Sequence, residues 1–158
     1  MRVARNFAAH PEHRVRAVPQ APLLFLNPLP TLTTGTAPIV NPPACERLNY
    51  EGEVAVVMGK EGHLISEDAA MDHVWGYTVI NDVTARDIQN REEAFVRAKG
   101  YDTFAPVGPC VATALAPLSL IVQTRLNGQL HPHAPLTHLV HPTPHPVPAP
   151  PRPPPHSP

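Results

Sequence analysis

Tyr50-Glu51-Gly52-Glu53-Val54-Ala55-Val56-Val57-Met58-Gly59-Lys60 opens with two carboxylates two residues apart and continues as a valine-rich segment stopped by glycine. A β-branched run of this kind reads as a strand. Side chains two apart on a strand share a face, so Glu51 and Glu53 are expected to project together. Like charges side by side repel unless a cation sits between them. A divalent metal meets that need, with a third carboxylate supplied from elsewhere. The stretch Trp75-Gly76-Tyr77-Thr78-Val79-Ile80-Asn81-Asp82 offers one. Its first six residues read as a second strand, and Asp82 falls just past the end, where functional groups are commonly displayed. Three carboxylates make an all-oxygen donor set that suits a hard ion, Mg²⁺ or Mn²⁺, better than zinc. The competing reading of Glu-x-Glu on a strand is a solvated face.

Working outward, the chain has 158 residues, one domain's worth. Lys and Arg number 12 against 13 Asp and Glu, so no basic surplus argues for nucleic acid. No apolar run is long enough to cross a membrane and no signal-peptide pattern is present, so a cytoplasmic protein is expected. Cys45 and Cys110 are two and far apart, which suggests neither a disulfide framework nor a zinc site.

Short apolar runs bounded by proline predict brief strands over 1–7, 23–26 and 38–40. Ser66 reads as an N-cap, with Glu67 and Asp68 in the first turn of a helix completed by 69–74. A second helix is predicted over 84–94, capped by Asp82 or Thr84. Arg86 and Gln89, three apart on it, share a face. Residues 101–109 read as irregular, and Pro106 and Pro109 argue against a central strand there. Strands are expected over 110–113 and 118–126, and Asn127-Gly128 is a hairpin turn signal with Gln129-Leu130 returning. The elements add up to a mixed β fold with short helices, an α+β class.

Four pieces taken together resemble the fumarylacetoacetate hydrolase family. They are Arg5-Asn6-Phe7-Ala8-Ala9-His10, Tyr50-Glu51-Gly52-Glu53 with its valines, Gly76-Tyr77 through Asn81-Asp82-Val83-Thr84-Ala85-Arg86-Asp87, and Lys99-Gly100-Tyr101-Asp102-Thr103-Phe104-Ala105-Pro106-Val107-Gly108-Pro109. They stand in the family's order and cover residues 1–130. The resemblance implies a β-roll or β-sandwich with Glu51, Glu53 and Asp82 holding Mg²⁺ or Mn²⁺. It implies that Arg86, Gln89 and Lys99 bind a small 2-oxo or β-diketo carboxylic acid, with Lys99 also tuning the metal site. It further implies that His10 activates water for C–C bond hydrolysis, with Glu12 the nearest acid because position 13 is His. Isomerisation, hydration and oxaloacetate decarboxylation use the same metal chemistry and stand as alternatives, as does an inactive truncated remnant or a metal-binding module. Relatives are commonly dimers, so the resemblance also admits a homodimer. At Asn27 the family usually carries Lys.

After Leu130 the composition changes. Residues 131–158 are rich in Pro and His, and Arg152 is their only Lys, Arg, Asp or Glu. Such a segment predicts polyproline II or disorder, and His-rich tracts can bind metals. The expected division is a partial catalytic domain over 1–130 and a tail over 131–158. The family's further strands and Gly-Thr-Pro motif do not follow, so the expected fold is incomplete at its C-terminus, through truncation or a shifted reading frame.

Overall fold

The computed structural model describes residues 1–6, 20–92, 95–131 and 134–141. The chain runs through β1 (Arg2–Ala4), β2 (Leu23–Phe25), β3 (Leu32–Thr34), β4 (Leu48–Asn49), β5 (Gly52–Met58), β6 (Val74–Asn81) and β7 (Thr84–Ala85). Then come α1 (Arg86–Glu92), α2 (Phe95–Lys99), β8 (Ala105–Val107), β9 (Ile121–Val122), β10 (Arg125–Leu126), β11 (Gln129–Leu130) and β12 (Ala134–Pro135). The fold is a mixed β structure with few short helices, as the sequence implies.

Its centre is the antiparallel pair β5–β6, the two longest strands. They lie in a four-stranded sheet of order β3-β8-β6-β5. The register pairs Gly52 with Asn81 and Glu53 with Ile80, and a bulge falls between Val57 and Met58. Two-stranded pairings surround this sheet: β1 with β2, β4 with β7, β9 with β12, and the hairpin β10–β11. Asn127 and Gly128 turn that hairpin with φ of 51° and 81°. These positive values are why Asn-Gly is favoured at such a turn.

The hydrophobic core consists of Cys45, Val83, Ala85, Ile88, Ala98 and Phe104, with Ile39 and Tyr101 packed against it. Val83 and Ala85 alternate with Asp82 and Thr84 along one short segment. The apolar pair faces the core while the polar pair turns the other way, toward Lys99. The core thereby anchors the backbone that carries the polar groups.

Several local expectations give way. The helix expected from the Ser66 cap through residue 74 is only a 3-10 turn, Ala70–His73, with no side-chain cap. The helix expected to start at Thr84 starts at Arg86, because Thr84 and Ala85 pair with Asn49 and Leu48 instead. Arg86 N–H then donates to Arg47 O at 2.8 Å. Pro106 lies within β8, between β3 and β6, against the expectation of an irregular stretch. The sheet tolerates it because β8 meets β6 in register only at Ile80–Val107, so few ladder donors are asked of it. In place of a strand over 110–113 there is a single bridge, Tyr77–Ala112. The strand expected over 118–126 divides into a 3-10 turn, Pro117–Ser119, then β9 and β10.

The fold continues past Leu130. β12 pairs with β9, and Leu136 is buried. Asn6 clamps the following segment from both sides: its Nδ2 donates to His141 O at 3.0 Å and its Oδ1 accepts from His141 N–H at 2.8 Å. Among the described residues, no helix is long and apolar enough to cross a membrane.

Candidate metal and substrate site

Glu51 precedes β5 and Glu53 is its second residue, while Asp82 follows β6. The antiparallel register brings the three together. Asp82 N–H donates to Glu51 O at 2.8 Å, and Glu51 N–H donates to Asn81 Oδ1 at 2.9 Å, so the two strand ends are tied where the acids emerge. The ligand oxygens of Glu51, Glu53 and Asp82 all lie within 4.8 Å of one another.

Lys99, at the end of α2, rises among them and is almost wholly buried. Its Nζ donates to Glu51 Oε2 at 2.8 Å, to Asp82 Oδ2 at 2.8 Å and to Thr84 Oγ1 at 2.7 Å. Three acceptors match the three protons of an ammonium group. Nζ also sits 5.9 Å from the centre of the Phe25 ring, which stacks on Phe95. Asn27 donates from Nδ2 to Lys99 O at 2.7 Å. Asn27 therefore holds the backbone of this lysine.

Arg86 Nη2 bonds Glu51 Oε1 and its Nη1 bonds Gln89 Oε1, so the predicted pair does share a face and turns it to the acids. Two residues went unread in the sequence. Thr84, a candidate helix cap by sequence, is fully buried, with its hydroxyl 3.1 Å from Glu51 Oε1. Arg2, noted only as part of a brief strand, places Nη1 against Asp82 Oδ1 in a buried ion pair. Thr84 shares a face with Asp82 by the period-two alternation of 82–85, which was the available signal, whereas only the tertiary pairing brings Arg2 to the acids. His10 and Glu12 lie outside the described residues.

The charges act on one another. Burial alone would raise the Glu51 carboxyl, but Lys99, Arg86 and the Thr84 hydroxyl outweigh it and hold it below the ordinary value. Glu53 is pushed up to about 8, by burial first and then by the charges of Asp82 and Glu51. Asp82 is also raised, chiefly by burial, although Lys99 and Arg2 oppose the shift. A site that disfavours its own negative charge is one that a further cation would stabilise. Asp82 Oδ1 is buried without a properly formed hydrogen bond. Three oxygen donors with such an acceptor fit a hard divalent ion.

Comparison with known proteins shows the family and the fold. The family model described as fumarylacetoacetate (FAA) hydrolase C-terminal matches residues 1–147. Oxaloacetate tautomerase YisK of Bacillus subtilis is 43% identical over 118 residues, covering 72% of this chain and 39% of that protein. The solved structure of 5-carboxymethyl-2-hydroxymuconate delta-isomerase from Mycobacterium smegmatis is 35% identical with a TM-score of 0.81, covering 89% of this chain and 54% of that one. That of a fumarylacetoacetate hydrolase from Exiguobacterium antarcticum is 33% identical with a TM-score of 0.79, covering 88% and 51%. The chain spans about half the length of the curated relatives it matches. By the span of the family match and by the fold it shares with these enzymes, the chain belongs to the fumarylacetoacetate hydrolase family.

Proposed function

We propose that this chain carries the metal-holding part of an enzyme that interconverts the keto and enol forms of small 2-oxo carboxylic acids. The observation that carries the reading is the convergence of Glu51, Glu53 and Asp82 with the Lys99 ammonium set among them. The three carboxylates would hold the ion, Mg²⁺ or Mn²⁺. Bound there, the ion would act as a Lewis acid on the keto oxygen and favour enolisation. Arg86 presents a planar fork suited to a substrate carboxylate, and Gln89 orients it. Lys99 holds Glu51 and Asp82 in place and offsets their charge. The similarity to proteins named as a tautomerase and an isomerase supports this reaction class.

A second reading is C–C bond hydrolysis, supported by the similarity to a fumarylacetoacetate hydrolase. It adds His10, with Glu12, as the group that draws a proton from attacking water.

Loss of enol absorbance from oxaloacetate, followed with and without Mg²⁺ or Mn²⁺, tests the first reading. Metal-dependent acceleration that disappears in Glu53→Ala is expected. Parallel cleavage assays on an acylpyruvate test the second. Rates equal to buffer for both substrates, with either metal, would remove the enzymatic reading.

A further inference from the structure

Both oxygens of Asp82 are in the hands of cations before any metal arrives. Oδ2 accepts from Lys99 at 2.8 Å, and Oδ1 lies against Arg2 Nη1. The two cations are held very differently. Lys99 donates to three separate oxygens and cannot leave one without disturbing the others. Arg2 Nη1 and Nη2 are buried with no hydrogen-bond partner of good geometry, so the guanidinium rests on charge contact alone. It comes from β1, three residues paired in a two-stranded sheet with β2 alone. A dication approaching Asp82 therefore displaces Arg2 rather than Lys99.

Counting charges gives the same answer. In the deprotonated state that metal ligation requires, Glu51, Glu53 and Asp82 supply three negative charges, against three positive ones from Lys99, Arg86 and Arg2. Removing Arg2 leaves the site with one net negative charge and a freed carboxylate oxygen, both of which favour a divalent ion.

We propose that Arg2 is a built-in competitor for the metal: it occupies the Asp82 oxygen that the ion must take, and so sets how tightly the site binds. This rests on the reading of Glu51, Glu53 and Asp82 as metal ligands. Mn²⁺ alone serves as the probe, with its dissociation constant read by calorimetry or by the loss of the free-ion electron paramagnetic resonance signal. Arg2→Met is expected to bind Mn²⁺ about tenfold tighter or more. Arg2→Lys, which keeps the charge, is expected to bind nearly as the unaltered protein does. Arg2→Gln repeats the test should Arg2→Met not fold.

Tighter binding by both neutral variants supports the inference. So does binding gained by them where the unaltered protein shows none. Unchanged or weaker binding by a folded neutral variant overturns it. Glu53→Ala separates the two layers. If it abolishes Mn²⁺ binding while the neutral variants leave affinity unchanged, only the role of Arg2 falls. If it leaves Mn²⁺ binding intact, the ligand assignment falls, and the role of Arg2 falls with it.

Discussion

Lys99 Nζ has three protons and three acceptors, Glu51, Asp82 and Thr84, and is shielded from water. With every donor engaged, it acts on its neighbours' charge rather than as a free hand for substrate. Lys99→Met should therefore behave as the breaking of a buried pair. It leaves Arg86 as the cation on Glu51 and Arg2 as that on Asp82, with burial opposing the charge of both carboxylates. Removing one partner of such a network costs about 3–5 kcal/mol. Urea unfolding in the absence of divalent ions should show a loss of that order. Added Mg²⁺ should narrow the gap, because a second cation then stands among the acids. A loss below about 0.5 kcal/mol, within the range of an ordinary surface change, would mean that the ammonium does not balance the cluster.

The β5–β6 ladder and the start of α1 convert those residues into a site. Gly76 shows how tightly the ladder is built. A Cβ there would meet Ala112 O at 2.6 Å and the Val111 side chain at 2.8 Å, and a backbone oxygen in a paired bridge has little room to yield. Gly76→Ala should cost about 1–3 kcal/mol by overpacking, seen as a lower melting temperature. Asp87, in the first turn of α1, ties that helix to the 45–47 loop by accepting from Arg47 N–H at 3.2 Å and from the Cys45 thiol at 3.6 Å. Burial alone would raise its carboxyl, yet the backbone donors of Arg47 and Glu46 prevail and hold it below the ordinary 3.8. A depressed acid stabilises the fold above its unfolded-state value and loses that contribution as pH falls through the folded one. Asp87→Ala should therefore melt earlier at neutral pH, with the difference shrinking in acid; a constant difference would disconnect the tie from charge. Of these elements, the period-two pattern made Glu51, Glu53 and the strand legible, and an acid just past Trp75-to-Ile80 made Asp82 so. Arg2 was not legible, because an N-terminal arginine acquires its role from a pairing across dozens of residues, while Thr84 was signalled only by its place two residues past Asp82. Pro106 misled for a related reason: a three-residue strand with one neighbour barely in register asks for few of the donors that proline lacks.

At the scale of the molecule, the sheet that carries the site also presents apolar side chains to water. Trp75 and Val79 are four apart on β6, so they point the same way, and they are 56% and 52% exposed. Met58 and Ile121 are each 56% exposed, and Leu126 and Leu130 add to the apolar surface of the hairpin. The formal net charge is only −1 at pH 7, so little electrostatic repulsion keeps copies apart. A folded chain with this surface should associate with itself, since removing exposed apolar area from water is favourable and roughly proportional to the area covered. Sedimentation velocity at micromolar concentration should therefore report species heavier than the 17.1 kDa chain, with the heavier fraction growing as concentration rises. Trp75→Lys combined with Val79→Lys replaces two exposed apolar groups on an interior strand with charges that resist contact through that face. Both side chains are more than half exposed, so the double variant should shift toward monomer while keeping its melting temperature and its Mn²⁺ affinity. A monomer at every concentration for the unaltered chain would show that the exposed face is too divided to drive association. A double variant that dissociates but also loses Mn²⁺ binding would show instead that assembly holds β6, and with it Asp82, in place.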